Sequence, residues 1–305
     1  MIIEAKGLEK HFGEFKAVAG IDLQIRPGIC FGLLGPNGAG KTTTIRMLQC
    51  VSPRDGGELS VLGMDPAVDG RAIKARLGVV PQEDNLDPDF TVRENLTIFA
   101  RFFGTAPNKA GDRADELLRF MNLTEKAGAR VDELSGGMKR RLVVARSLIG
   151  DPDVLLLDEP TTGLDPQARH SLWETIRSLR REGKTILLTT HYMDEAEMLC
   201  DELVVVDKGA VLEQGNPREL ITKHCGKEAL ELVARDGDTA TLDAMLETLA
   251  DTPYERVVDR VIAYGDNLEP LQASIRDAHD LQESVLRRAT LEDVFLRLTG
   301  RALRE

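Results

Sequence analysis

Residues 35–42 read GPNGAGKT, a glycine-rich run that ends in a lysine and a hydroxyl residue. Glycines let the main chain wrap closely around phosphate oxygens, so that backbone N–H groups and the start of the next helix face the anion. Lys41 would reach the β- and γ-phosphates of a nucleotide, and the Thr42 hydroxyl would bind Mg²⁺. An apolar strand run before the loop and a helical run after it favour this function over a chance glycine turn. The predicted phosphate-contacting residues are Gly35, Asn37, Gly38, Gly40, Lys41, Thr42 and Thr43.

Two carboxylates, Asp158 and Glu159, close the apolar run of residues 154–157. The carboxyl ends of strands are where an open α/β sheet holds its ligand. Asp158 would hold Mg²⁺ directly or through water, and Glu159 would orient or deprotonate an attacking water, a role worth about 10²- to 10⁴-fold in rate. An acidic pair closing a strand is often only a solvated turn or a helix N-cap. The Lys41 loop in the same chain favours the catalytic role.

A Ser-Gly-Gly turn, Ser135 to Gly137, precedes an amphipathic run. A helix start of this kind offers bare N–H groups, the positive end of the helix dipole and one hydroxyl, which together form an anion site. The same turn is equally typical of an N-cap that binds no ligand. Taken alone, the turn leaves both readings open.

The order of apolar runs predicts an α/β fold. Strand runs at residues 30–34, 154–157, 185–188 and 203–206 alternate with amphipathic helical stretches, as in a largely parallel sheet with helices on both faces. Residues 2–25 are rich in β-formers and turn residues. Residues 91–123 are almost wholly helical and open with the capping-box spacing of Thr91 and Glu94, so we place a helical insertion at about residues 91–150. We expect at least one of its three aromatic side chains to be exposed: Phe99, Phe102 and Phe103.

The C-terminal residues have a different pattern. From about residue 227 the chain reads β, α, β, β, α, β, α, with runs at 229–233, 239–249, 256–258, 261–264, 268–278, 284–287 and 291–298. This order fits a small split-βαβ module. With 305 residues the chain is long enough for two domains, and we predict residues 1–225 as the nucleotide-binding domain and 226–305 as an α+β accessory module.

Composition excludes several other classes. The net charge of −12 argues against a nucleic-acid partner, since such binding depends on a concentrated basic face. The four cysteines form no CxxC pair, so neither a zinc site nor a disulfide framework is indicated. No apolar run approaches the roughly 18 residues of a spanning helix. Any membrane connection is expected to go through a partner.

Taken together, the motifs resemble those of ABC transporter ATPase subunits. Residues 35–42 resemble the Walker A motif of the family, residues 155–160 (LLLDEP) its Walker B motif and residues 134–138 (LSGGM) its signature motif. Gln82 matches the Q-loop, Asp165 the D-loop, His191 the switch histidine, and Phe12 the aromatic that stacks on adenine. The motifs stand in family order over about residues 1–222.

The resemblance implies a fold, cofactors and a partner. The fold would be α/β, a P-loop NTPase of ABC type with a mixed sheet, an antiparallel β subdomain and a helical insertion, here followed by the small C-terminal module. The cofactors would be ATP and Mg²⁺, with Gln82 contacting the Mg²⁺ or the attacking water. A second copy of the chain would bind head to tail, so that Ser135 and Gly137 of one copy close over ATP held by Lys41 of the other.

Met138 stands where the family usually has Gln, yet the Ser135 hydroxyl and the Gly137 N–H are intact. This variant, together with the terminal run LEDVFLRLTGRALRE, resembles exporter ATPases of the nodulation-factor and daunorubicin-resistance type. Those exporters imply a separate integral-membrane permease of the ABC-2 type. The chain would then lie at the cytoplasmic face of the bacterial inner membrane, as a peripheral subunit.

Two other functions compete with export. A soluble ABC protein acting on ribosomes or DNA would have two ATPase halves or a long coiled coil, whereas this chain has one Walker A motif and no heptad run. An importer ATPase would have a longer β-rich tail in place of the α/β tail. The cargo is left open between lipo-oligosaccharide, drug and polysaccharide, because the substrate route lies in the permease.

Overall fold

The computed structural model describes residues 1–235, 239–249, 252–257 and 260–300. The chain divides into two compact units, Met1–Glu213 and Gln214–Glu305. The division falls before the helix at residues 217–225, whereas the sequence prediction placed that helix in the first domain. None of the helices in the described ranges is long and apolar enough to cross a membrane.

Strands and helices alternate through most of the described chain. The strands are β1 (Ile3–Phe12), β2 (Phe15–Ile25), β3 (Cys30–Leu34), β4 (Gly56–Val61), β5 (Leu77–Val80), β6 (Val154–Asp158), β7 (Thr185–Thr190), β8 (Glu202–Asp207), β9 (Ala210–Gly215), β10 (Glu228–Ala234), β11 (Tyr254–Val257), β12 (Arg260–Gly265) and β13 (Leu281–Arg288). The helices are α1 (Lys41–Leu48), α2 (Gly70–Lys74), α3 (Val92–Phe102), α4 (Pro107–Phe120), α5 (Gly136–Ser147), α6 (Pro166–Arg181), α7 (Met193–Leu199), α8 (Pro217–Cys225), α9 (Thr239–Leu249), α10 (Glu269–Ala278) and α11 (Leu291–Thr299).

A six-stranded sheet forms the centre of the first unit, in the order β5-β6-β7-β3-β8-β9. The pairs β5–β6, β6–β7, β7–β3 and β3–β8 are parallel. Every residue of β3, β6 and β7 is buried, as in parallel strands covered on both faces. Because β3, β6 and β7 are adjacent and parallel, their carboxyl ends lie side by side. The predicted parallel sheet is confirmed.

A three-stranded antiparallel sheet, in the order β2-β1-β4, accompanies the central sheet. One hydrophobic core joins the two sheets, since Leu8 and Ile21 of the antiparallel sheet pack in the same buried cluster as Phe31 and Leu156 of the central one. This is the antiparallel β subdomain that the family resemblance implied.

The segment between β5 and β6 is helical and contains α3, α4 and α5. Helix α3 begins with the predicted capping box: the Glu94 N–H donates to Thr91 Oγ1 (3.2 Å), and the Thr91 N–H donates to Glu94 Oε2 (2.8 Å). The helix ends before Gly104, whose φ of +73° suits glycine. The predicted helical insertion is therefore present, between β5 and β6.

The second unit contains a four-stranded antiparallel sheet in the order β11-β12-β10-β13. The order of elements from β10 to β13 is that of a split βαβ module, as predicted from the sequence. Alternate residues of β10, Leu230 and Leu232, pack in one cluster with Met245 of α9 and Ile275 of α10. Val258, which the prediction included in a strand, lies outside the described residues.

A buried carboxylate anchors α11 to the sheet of the second unit. Asp293 is 2% exposed, and its oxygens accept from Arg287 Nη1 (2.7 Å) and Nη2 (2.8 Å). Asp293 also accepts from the Thr290 N–H, which caps the helix (2.8 Å). The hydrogen bonds to Asp293 and, to a smaller extent, those to Glu231 raise the pKa of Arg287, so its guanidinium group stays charged.

We predict that Asp293→Ala lowers the free energy of unfolding of the second unit by about 2 kcal/mol, because it removes a buried acceptor and leaves donors of Arg287 unpaired. The exposed neighbour Glu292 provides the control, and Glu292→Ala should cost less than about 0.5 kcal/mol. Urea unfolding followed by circular dichroism measures both. The fluorescence of Trp173, the single tryptophan, reports on the first unit, and the urea concentration at the midpoint of its transition should not change. Equal stability of the two variants would contradict the anchoring role.

Candidate nucleotide site

The phosphate loop predicted from the sequence joins β3 to α1. A Cβ atom on Gly35 would lie 2.1 Å from the Val206 carbonyl oxygen, and one on Gly40 would lie 2.3 Å from that of Ala17. Gly40 also has a φ of +99°, in the left-handed region that side chains rarely adopt. Both glycines are therefore required by close main-chain packing, which fixes the path of the loop.

Lys41 is the first residue of α1, and it points inward with 4% of its surface exposed. Its Nζ donates to the carbonyl oxygens of Gly35 (2.8 Å) and Pro36 (3.1 Å), and it lies 3.2 Å from Glu159 Oε1. Burial lowers the pKa of Lys41, while the neighbouring charges of Glu159 and Asp158 partly raise the pKa again. The ammonium group is thus held at the centre of the loop, facing the end of β6.

Asp158 is the last residue of β6 and contacts the phosphate loop. Its Oδ1 accepts from Thr42 Oγ1 (3.2 Å) and from Thr189 Oγ1 (2.5 Å). Thr189 stands opposite Asp158 in the parallel register of β6 and β7, so the strand pairing itself supplies this second donor. The loop hydroxyl and the strand-end carboxylate, separated by more than a hundred residues in sequence, are in direct contact.

Glu159 follows with an unusual backbone conformation, a φ of +46°. The Glu159 N–H donates to the carbonyl oxygen (3.1 Å) and Oγ1 (3.0 Å) of Thr189, and these bonds hold a conformation that is costly for a residue with a side chain. The turn aims the carboxylate between Lys41 Nζ, at 3.2 Å from Oε1, and His191 Nδ1, at 3.2 Å from Oε2.

The protonation of Glu159 follows from these neighbours. Burial by itself raises the pKa of the carboxyl group, but the neighbouring Lys41 ammonium group and the His191 ring outweigh burial, so the pKa is lowered. The group is ionised at neutral pH and can accept a proton. Three residues predicted separately, Lys41, Glu159 and His191, form one cluster at the ends of β3, β6 and β7.

Ser135 and Gly137 lie at the start of α5. Ser135 is the N-cap, exposed to solvent, and its Oγ accepts from the Met138 N–H (3.3 Å). A Cβ atom on Gly137 would lie 2.8 Å from the Ala168 Cβ of α6, so glycine is also needed here for helix packing. Within the described residues of this single chain, no hydrogen bond joins Ser135 to the Lys41 loop.

The remaining predicted site residues form no hydrogen bond to this cluster within the part of the chain that the structure describes. Phe12 ends β1 with 56% of its surface exposed, and Lys10 Nζ lies 5.6 Å from its ring centroid. Asp165 caps α6 by accepting from the Ala168 N–H (2.9 Å). Gln82 lies just past the end of β5 with its side chain exposed. Asn37 and Gly38 are exposed, and Thr43 is half-buried.

Sequence reasoning missed two residues of the site. Thr189, which donates to Asp158, lies just past the predicted strand run of residues 185–188, and its role depends on the strand order. Arg140, in the basic run of residues 139–141, was given no role from the sequence, but it is buried and donates to the Pro160 carbonyl oxygen (2.6 Å) next to Glu159. The available signal for Thr189 was a hydroxyl residue at the end of a strand run, two residues before His191.

Comparison with known proteins decides the family. Residues 18–162 match the ABC transporter family. Over all of its length, the chain is 51% identical to the Nod factor export ATP-binding protein I of Ralstonia nicotianae, covering 95% of that protein. The chain belongs to the ABC transporter ATP-binding proteins. ATP hydrolysis is therefore the activity of the chain, and the resemblance inferred from the motifs is confirmed.

Other comparisons agree with this ABC fold, and one of them covers the C-terminal residues as well. The protein of the same name from Paraburkholderia xenovorans is 48% identical over 99% of this chain and 98% of its own. Residues 239–300 match the C-terminal domain of the nodulation factor export protein NodI. A dimeric ATP-binding cassette bound to ADP and Pi superposes with a TM-score of 0.64 at 25% identity, over 70% of this chain and 98% of its own. The structure of cbiO1 from Clostridium perfringens superposes with a TM-score of 0.67 at 27% identity, over 73% of this chain and 91% of its own.

We predict that Gly40→Ala abolishes ATP binding, because the new methyl group would collide with the Ala17 carbonyl oxygen and open the loop. Gly63→Ala is the matched control, since Gly63 has a similar positive φ of +76° but open space around it. The control should lose only about 1–2 kcal/mol of stability and bind ATP normally. Isothermal titration calorimetry measures both. Equal ATP affinities would show that the close approach at Gly40 does not shape the site.

Proposed function

We propose that the chain hydrolyses ATP to energise export of a lipo-oligosaccharide of the Nod factor class through a separate integral-membrane permease of the ABC-2 type. The subunit would work at the cytoplasmic face of the bacterial inner membrane. The position of the Glu159 carboxylate between Lys41 and His191 supports the hydrolytic step. The full-length similarity to Nod factor export proteins, including the tail, supports the cargo and the direction of transport.

The Lys41–Glu159 pair suggests how the site responds to nucleotide. A γ-phosphate in the loop would compete with Glu159 for the Lys41 ammonium group, which has three donors. Glu159 would then be released to accept a proton from the attacking water, while His191 remains at its other oxygen and orients the carboxylate. Gln82 at the exposed end of β5 would contact the same water, and Phe12 would stack on the adenine ring.

The residues also fit a magnesium ion. Thr42 Oγ1 and the Asp158 carboxylate are oxygen donors in contact with each other, the type of ligand that Mg²⁺ prefers. In the described residues, no group of three or more His, Cys, Asp or Glu surrounds a metal position, so Mg²⁺ would share its coordination between Thr42, Asp158 and phosphate oxygens. When bound, the ion would neutralise the charge that develops on the transferred phosphoryl group.

A second copy of the chain would complete the site. The start of α5 offers an exposed hydroxyl and free helix N–H groups, which suit a phosphate. Since no bond connects Ser135 with Lys41 in one chain, we propose that Ser135 and Gly137 of one copy close over ATP held by the other copy. Asp165, at the start of α6 beside Gly137, would lie at the same interface. The dimeric state of a similar solved cassette supports this arrangement.

Replacement of Glu159 by Gln tests the proposed hydrolytic dimer. The variant keeps Lys41, Thr42 and Asp158, so it should bind ATP and Mg²⁺, hydrolyse ATP at least about 10²-fold more slowly, and accumulate as a dimer. Gel filtration with ATP and Mg²⁺ measures the dimer, and the double variant that adds Lys41→Ala should stay monomeric. A Glu159→Gln chain that binds ATP yet remains monomeric would contradict the proposed function.

We further propose where the permease docks. A groove of about 1330 Å³ lies between α2, the end of α3, the start of α4 and residues 149–151. Phe102 projects at its edge with 80% of its surface exposed, whereas Phe99 and Phe103 are half-buried. The expectation that one of these aromatics is exposed is therefore confirmed.

The charge of the groove indicates the chemistry of its partner. Four lining cations form no ion pair within the part of the chain that the structure describes: Arg71, Lys74, Arg101 and Lys109. The acidic lining residue Asp151 is paired with Lys184 (2.6 Å). An uncompensated basic groove in a chain of net charge −12 suits an acidic cytoplasmic segment of the permease, with Phe102 as its apolar contact.

We predict that Phe102→Glu prevents co-purification with the permease from detergent and stops transport, while the ATPase activity of the isolated chain changes by less than about twofold. The ATP-contacting residues lie elsewhere, so basal activity has no reason to fall. Val51→Glu, at another exposed apolar position outside the groove (66% exposed), is the control and should leave both transport and co-purification intact. Normal transport by Phe102→Glu would place the docking site elsewhere, with the C-terminal module as the next candidate.

A further inference from the structure

Arg140 lies inside the first unit, on α5, with 4% of its surface exposed. Its guanidinium group donates to five main-chain carbonyl oxygens, those of Pro81 (2.5 Å), Pro160 (2.6 Å), Asp158 (3.3 Å), Glu159 (3.3 Å) and Gln82 (3.4 Å). Two of these residues follow β5, and the other three end or follow β6. One side chain of α5 therefore links the ends of two neighbouring strands.

The chemistry of this link requires an arginine. Burial lowers the pKa of Arg140, while the charges of Asp84, Glu195 and Asp158 act in the opposite direction. A buried cation is tolerated only when its N–H groups have acceptors, and the carbonyl oxygens provide them. A guanidinium has five donors in a flat fork, whereas a lysine has three donors on one nitrogen. Lysine keeps the charge but cannot reach both strand ends at once.

On one side, Arg140 holds groups of the chain's own ATP site. Its bond to the Glu159 carbonyl oxygen helps to fix the left-handed turn that aims the carboxylate at Lys41 and His191. Its bonds to the carbonyl oxygens of Pro81 and Gln82 fix the main chain just past the end of β5. Arg140 touches neither the reacting carboxylate nor the Gln82 side chain, so its role toward both is one of positioning.

On the other side, Arg140 belongs to the helix that begins at Ser135. The two residues are about 7.5 Å apart along the helix axis at 1.5 Å per residue, within one rigid element. Arg146 connects the same helix to the residues that follow β5 a second time, because it donates to the carbonyl oxygens of Asn85 (2.6 Å) and Asp84 (3.2 Å). Hydrogen bonds from two side chains of α5 therefore connect the helix to the residues at the ends of β5 and β6.

We propose that Arg140 positions groups in both ATP sites of the dimer: Glu159 and Gln82 in the site of its own chain, and Ser135 in the site of the partner. This inference rests on the proposed head-to-tail dimer. Through Arg140, a change at the γ-phosphate end of one site would move the Ser135 that serves the other site. The two sites would be coupled through a side chain that contacts neither nucleotide.

A dimer with one working site separates the two roles. One chain carries Glu159→Gln and Ser135→Phe, so it binds ATP but cannot close over a partner's ATP. The other carries Lys41→Ala, so it offers Ser135 but holds no ATP. With ATP and Mg²⁺, only the mixed pair should associate, and sedimentation velocity measures its dissociation constant. Arg140→Lys is then placed in the Lys41→Ala chain, where the working groups it can affect are those at the start of α5 that close over the partner's ATP, Ser135 and Gly137.

We expect Arg140→Lys in that position to weaken the mixed pair at least about tenfold, because displacement of a positioned group by about 1 Å has effects of this size. Arg141→Lys in the same chain is the matched control. Arg141 is the next residue of α5, and among the described residues it donates only to the Met121 carbonyl oxygen (2.9 Å), inside the helical insertion. The control should therefore change the dissociation constant by less than about twofold.

In an otherwise unmodified chain, Arg140→Lys should lower kcat about 10- to 100-fold while the ATP affinity of the single chain stays within about twofold, a split that general unfolding would not produce. Arg140→Gln, which keeps part of the hydrogen bonding without the charge, is used if the lysine variant melts without a cooperative transition. An unchanged dissociation constant of the mixed pair, with a lowered kcat, would confine Arg140 to its own site and overturn the inference.

The failure of the proposed function gives a different pattern. If the Glu159→Gln homodimer does not form, the dimer mechanism is wrong and the inference falls with it. If that homodimer forms but the mixed pair does not associate, Ser135 does not act alone across the interface, and the inference is overturned while the ATPase assignment stands.

Discussion

The site depends on the contacts that the buried carboxylate of Glu159 makes with Lys41 and His191. This carboxylate is 8% exposed and stays ionised because Lys41 and His191 lie on either side of it. These residues come from the ends of β6, β3 and β7, which are adjacent only in the parallel order of the central sheet. A different strand order would leave a buried ammonium group without a counter-charge, a state costly enough to disfavour it. The fold and the charge cluster therefore require each other.

Much of this could be predicted from the sequence, for a physical reason. The phosphate loop, the acidic strand end and the capping box of α3 are local patterns, in which residue type and spacing determine the geometry directly. The split-βαβ order of the tail is local in the same sense, since each run can be assigned from its own periodicity. Such features need no knowledge of which strand lies beside which.

Contacts between distant segments could not be predicted in this way. Thr189 donates to Asp158 because β6 and β7 pair in one particular register, and no pattern around Thr189 shows that register. Arg140 lies in a run of three basic residues, KRR, whose composition is typical of a solvated surface. Only the packing of α5 against two strand ends reveals that the Arg140 side chain is buried. The Ala168 contact of Gly137 is likewise invisible until α5 and α6 are placed side by side.

The start of α5 shows how one motif meets two requirements. In the single chain the Ser135 hydroxyl accepts the Met138 N–H, so the group proposed to meet the partner's ATP is already ordered as a helix cap. Only the main chain of residue 138 takes part in this bond. A methionine can therefore replace the glutamine usual in the family without loss of the cap, because the side chain at this position has no part in the hydrogen bond that orders Ser135.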